Sequence, residues 1–151
     1  MAQIEMMLRL IKDNKIDGYV WIISYEQAKQ YFTAADEYLY PESNYKNTLI
    51  SMYAENKDSK RWMPVGTINI LKPEAIESGI KVNGEWCFEG DRFVLSFNDG
   101  DVITILVFED YRWGFKGNHS TYDINIYGNH YARKIGNIHD NKEFDDGKDK
   151  N

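Results

Sequence analysis

An Asn83-Gly84 pair flanked by Ile80-Lys81-Val82 and Glu85-Trp86-Cys87 constrains this fold more than any other stretch of the chain. Asn and Gly tolerate positive φ at both central positions of a two-residue type I′ turn, whose twist matches that of paired antiparallel strands. Glu89-Gly90-Asp91 then turns the chain into an apolar run over residues 92–97, and Asn98-Asp99-Gly100-Asp101 reverses it into residues 102–108. Turns this closely spaced predict a mainly β (α+β) protein. The expected form is a small antiparallel β-barrel-like sheet, closed or nearly closed, with one or two short N-terminal helices.

The preceding residues supply those helices. Ile4, Met7, Leu8 and Ile11 recur at helical spacing, which predicts an amphipathic helix over 4–13. Asp17-Gly18 turns into a β-branched and aromatic strand over 19–23. Ser24 with Gln27 three residues on is a capping-box pattern that starts a second short helix over 26–32. Tyr38, Tyr40 and Tyr45 surround Pro41 in a stretch read as rings folded over the edge of the core. Residues 48–54 alternate as a strand, and 61–71 return as an edge or bulged strand, because Pro64 cannot donate to a ladder. Lys72-Pro73-Glu74 ends it. This divides the chain into 1–72, a helix and strand segment packed on the sheet, and a β region over 73–140. Residues 122–127 alternate as a half-buried strand, which Gly128-Asn129 turns back into 131–138. The tail 141–151 holds only Phe144 as an apolar side chain and should be disordered.

The order of turns and strands resembles a known family. The run Asn83-Gly84-Glu85, then Phe88-Glu89-Gly90-Asp91, then Val107-Phe108-Glu109-Asp110 and Trp113-Gly114-Phe115, closes on Ile135-Gly136-Asn137-Ile138-His139-Asp140-Asn141. This series is similar to the C-terminal part of the YopX family, small proteins carried by phages and prophages of Gram-positive bacteria. The likeness covers Glu74 to Glu143, and the family's N-terminal Phe-Arg-x-Trp-Asp opening is absent. It implies a phage or prophage setting and a cytoplasmic location in a bacterial host, without an assigned chemistry.

Charge narrows the partners. The net charge is −6, which disfavours duplex DNA, since neutralising phosphates takes Lys and Arg. The charge is uneven: residues 79–110 carry 2 basic against 7 acidic side chains, whereas 111–134 carry 4 against 1, a local +3. The single Cys87 rules out an internal disulfide and reads as a buried thiol. No membrane span and no cofactor motif is visible, and neither a Gly-Lys-Ser/Thr phosphate loop nor a dinucleotide Gly-x-Gly-x-x-Gly occurs. His119, His130 and His139 share no helical face, so no metal site is expected. Glu109-Asp110 and Asp99-Gly100-Asp101 read as turn residues rather than catalytic carboxylates, and the chain is not expected to be an enzyme.

The +3 segment carries the candidate ligand site: Tyr111, Arg112, Trp113 and Lys116, with Tyr131, Arg133 and Lys134. Rings interleaved with cations can stack bases or hold acidic groups. Alternatively, Trp113 and Phe115 point inward as core and the cations solvate the strands. The expected function is a non-enzymatic binding protein that acts on a host protein or sequesters a small anionic, nucleotide-like ligand to modulate host defence. The alternative is a single-stranded nucleic-acid-binding accessory protein in phage replication. Homo-oligomerisation is left open.

Overall fold

The computed structural model describes residues 5–128 and 131–139. The chain is mainly β and divides into two compact units, residues 1–78 and 79–151. The division falls inside one strand, β5 (Ala75–Val82), six residues beyond the break expected after residue 72. The expected tail over 141–151 and the turn residue Asn129 lie outside the described residues.

The first unit opens on a hairpin, which corrects the helix expected over 4–13. Met6–Lys12 is strand β1, paired antiparallel with β2 (Lys15–Ser24). Asp13 and Asn14 between them both have positive φ, 54° and 61°. These two residues can visit the left-handed region, so a type I′ turn wins over continued helix. β2 bulges opposite Leu10 and Ile11. Gly18 is required there, since a Cβ would lie 2.6 Å from the Tyr53 ring. Tyr53 in turn donates its hydroxyl proton to the Asp17 carbonyl at 2.9 Å.

Ser24 ends β2 and caps α1 (Tyr25–Ala28) by accepting from the Gln27 amide, as the capping box predicts. A 3-10 turn over Lys29–Tyr31 follows. Two further helical turns, α2 (Ala34–Leu39) and α3 (Glu42–Tyr45), occupy the tyrosine-rich stretch. Thr33 and Asp36 form a reciprocal capping box at the start of α2. Phe32, Tyr40 and Tyr45 pack ring against ring there with centroids 5.5 and 5.2 Å apart, while Tyr38 stays exposed. β3 (Leu49–Ala54) pairs with β2, and β4 (Met63–Val65) pairs with β3 at the edge, where Pro64 needs no ladder partner. The strand order in this unit is β4-β3-β2-β1, with the first half of β5 beside β1.

The second unit follows the turn chemistry closely. β5 returns as β6 (Glu85–Phe88) through Asn83 and Gly84, both at positive φ. β7 (Asp91–Phe97) and β8 (Gly100–Glu109) form the next hairpin across Asn98-Asp99. β9 (Arg112–Lys116) follows through Asp110-Tyr111, again both at positive φ. β10 (Thr121–Asp123) is only three residues long, which corrects the strand expected over 122–127. Asp123 accepts from the Asn125 amide and starts α4 (Ile124–Tyr127) instead. β11 (Ala132–Asn137) then pairs with β7.

The resulting sheet runs β10-β9-β8-β7-β11 and stays open, with β10 and β11 as its two edges. The closed barrel expected from the sequence does not form, because the chain leaves β10 as a helix after three residues. Phe93, Leu95, Leu106 and Phe115 project from one face and pack with Val82 and Cys87 of the β5–β6 hairpin. Cys87 is buried, as expected. Asn83 donates its side-chain amide to the Gly128 carbonyl at 2.9 Å, fastening the hairpin turn to the end of α4.

The turn at Glu89-Gly90-Asp91 is built around a buried carboxylate. Asp91 accepts from the Phe88 amide at 2.8 Å and lies 3.4 Å from the Lys134 ammonium on β11. Gly90 donates to the Leu106 carbonyl and accepts from the Ile138 amide. The runs over residues 88–91 and 135–141, far apart in sequence, are thus hydrogen-bonded to each other through Gly90 and Ile138.

Candidate functional site

Alternation along the strands divides the candidate residues between the two faces of the second sheet. Register places Trp113 opposite Phe108 and Lys134 opposite Phe93, on the face that holds the core. Arg112 opposite Glu109, Lys116 opposite Ile105, and Arg133 opposite Val94 lie on the other face. The seven residues do not form one cluster. β9 and β11 are separated by β8 and β7, three strand spacings or about 14 Å. The convergence of all four cations through adjacent strands, on which the expected site depended, is therefore absent.

Their surroundings differ as well. Tyr111 is 97% exposed at the tip of the β8–β9 turn. Trp113 is half-buried against Phe108, ring centroids 5.4 Å apart, so the inward reading holds for this ring. Tyr131 packs on Phe97 and Tyr127 rather than beside Arg133. Lys134 is held by Asp91 and lies 4.0 Å from Glu85. Lys116 pairs with Glu109 at 3.2 Å, both about half exposed, which leaves that pair open to solvent screening.

The outward face carries a different constellation, centred on a residue the sequence analysis passed over. Arg92 on β7, Ile105 on β8 and Lys116 on β9 stand in one cross-strand row. A cleft of about 260 Å³ opens over this row, with Ile103 and Val107 completing its apolar floor. Among the described residues, Arg92 and Lys116 are its only charged lining groups. Arg133 lies on the same face beyond Val94, one position from this row. No aromatic side chain of the strands occupies that face, because Phe93, Phe97, Phe115, Trp113 and Tyr122 all point the other way.

Near the β8–β9 turn a second cleft of about 330 Å³ holds Arg112 beside Glu109, Asp110 and Asp123. Three carboxylates against one guanidinium make it a poor anion site. Among the described residues no group of three or more His, Cys, Asp or Glu is placed to hold a metal. His119 is exposed and His139 donates its backbone amide to Asn137, while His130 lies outside the described residues. Asp99 sits in the β7–β8 hairpin turn and Asp101 just beyond it.

These features define a β-sheet protein with an open sheet face of mixed charge, on which one apolar cleft is flanked by Arg92 and Lys116. No family model matches the chain, and neither a curated protein nor a solved structure does. No helix among the described residues is long and apolar enough to cross a membrane.

Proposed function

We propose that this is a non-enzymatic binding protein whose contact surface is the outward face of the second sheet, and that it takes an acidic, partly apolar segment of a partner protein. The observation that carries this reading is the cross-strand row Arg92-Ile105-Lys116 with its cleft, where cations flank an aliphatic floor. Carboxylates would meet Arg92, Lys116 and Arg133, while Leu or Ile side chains would cover Ile103 and Ile105. The resemblance to YopX proteins adds a setting: a phage- or prophage-encoded protein acting on a host target in the bacterial cytoplasm, as a modulator of host defence. A nucleotide or single-stranded nucleic acid is the poorer fit. Such ligands need a ring to stack on beside the cations, and here the strand rings and these cations occupy opposite faces.

Fluorescence anisotropy tests this with two labelled probes, a peptide alternating Asp or Glu with Leu or Ile, and a thymidine oligonucleotide. The peptide should bind, more weakly as salt is raised. Arg92→Glu/Lys116→Glu and the more exposed pair Lys116→Glu/Arg133→Glu should each abolish that binding. Tighter binding of the oligonucleotide than of the peptide, or peptide binding that survives both double variants, would sink the proposal.

A further inference from the structure

Four rings of the second unit gather at the end of β7. Phe97, at the end of β7, is packed by Tyr122 at 5.6 Å, Tyr131 at 5.6 Å and Tyr127 at 5.8 Å between ring centroids. Tyr122 and Tyr131 lie tilted at 36° and 32° to Phe97, and Tyr127 meets Phe97 edge-on at 82°, so the four rings form one cluster. Beside this cluster opens a cleft of about 510 Å³, lined by Ser96, Phe97, Asn98, Asp99, Tyr122 and Tyr131. Among the described residues its one charged lining group is the Asp99 carboxylate. Tyr131 keeps 41% of its surface exposed, so part of the cluster meets solvent.

We infer that this cleft is a binding site for a planar organic cation, of which the guanidinium of a partner's arginine side chain is the fitting chemistry. Tyrosine rings present negative π faces to a cation, and a guanidinium stacks flat on such a face while its N–H groups reach a carboxylate. Asp99 supplies the carboxylate, and the side-chain oxygen of Asn98 can accept from a remaining donor. An anion is disfavoured because the described lining residues offer it no cation, and Asp101 adds a second negative charge two residues on. Arg92 stands five residues back along β7, about 17 Å from Phe97 in an extended strand, and Arg133, opposite Val94 about 10 Å from Phe97, lies on the other face of the sheet. The inference uses different residues from the proposed peptide face and stands or falls independently of it.

The test is a titration of the full-length protein with argininamide, followed through the tyrosine ring resonances in NMR spectra. Argininamide at millimolar concentration should shift the signals of Tyr122 and Tyr131. Asp99→Asn and Tyr131→Ala should each weaken binding about fivefold or more, with melting temperatures recorded to show that both variants fold. Lys116→Glu on the outward face should leave the affinity unchanged. Guanosine monophosphate serves as the opposing probe, since it has a planar ring but carries negative charge. Absence of argininamide shifts in the wild-type protein overturns the inference, as does binding indifferent to both cleft substitutions. Tighter binding of the nucleotide would overturn it equally.

Discussion

A buried carboxylate–cation pair stands in each unit of the chain, and the two pairs are built on different principles. In the first unit Arg9 on β1 faces Glu77 on β5 directly across the ladder, with Nε 2.6 Å from Oε1. Their side chains are 2% and 14% exposed, so this pair is sealed within a sheet. In the second unit Asp91 is fully buried but Lys134 keeps 26% of its side-chain surface. Asp91 also accepts from the Phe88 amide. The first pair joins two strands through side chains, and the second fixes a turn through the backbone. A buried charge can therefore serve register in one place and turn geometry in another, and only the second use ties a carboxylate to a main-chain donor.

That distinction can be broken by substitution. The largest effect is expected at Glu77→Leu, which strips a guanidinium that cannot deprotonate of its carboxylate. Loss of one partner of a buried pair costs about 3–5 kcal/mol. The double change Arg9→Met/Glu77→Leu should recover most of that loss, and denaturant melts that show the two single costs simply adding would refute the register role. Asp91→Ala should cost about 2–3 kcal/mol, through an orphaned amide and a lost charge-assisted bond. Here the companion change Lys134→Met should rescue little, since the Phe88 amide still lacks its acceptor. Full rescue would show that the turn does not depend on that bond.

Lys134→Met alone should be milder, about 1–2 kcal/mol, because Asp91 keeps its backbone donor. Its cost should also shrink in high salt, as expected of a partly exposed ammonium, whereas the Glu77→Leu cost should not. At the small end stands the half-exposed Lys116–Glu109 pair. Lys116→Ala is expected to move stability by no more than about 0.5 kcal/mol. A larger change would mean that the outward face is more tightly structured than its exposure indicates.

The second unit was legible from turn residues, and the first was legible only in part. Asn83-Gly84, Asn98-Asp99 and the Ser24 cap each have a local chemistry that tertiary context did not override. Pro64 correctly marked an edge. Met6–Lys12 misled because Ile4, Met7, Leu8 and Ile11 satisfy helical spacing, while the competing signal was the Asp13-Asn14 turn. Thr33 with Asp36 three residues on was a readable capping signal for α2 that the surrounding tyrosines obscured. At the site, the +3 charge of residues 111–134 was plain, but which face each cation takes depends on β8 and β7 lying between β9 and β11. Arg92 was missed for a related reason. It sits in the acidic stretch over 79–110, and net charge along a sequence does not show which side chains share a sheet face.

The Asn83–Gly128 hydrogen bond spans 45 residues of sequence, and this separation orders events in time. A two-residue turn can close a hairpin within microseconds, before distant parts of the chain have met. The latch cannot form until β7 through β10 have assembled and α4 has been delivered to the turn. We expect it to form late, after the rate-limiting crossing, because it closes a long loop for one hydrogen bond. Asn83→Gly tolerates the turn and removes the latch, at the cost of a freer unfolded chain, so it should quicken unfolding by a larger factor than it slows refolding. The hairpin would still be made early; what it would lose is the fastening that keeps it from leaving first.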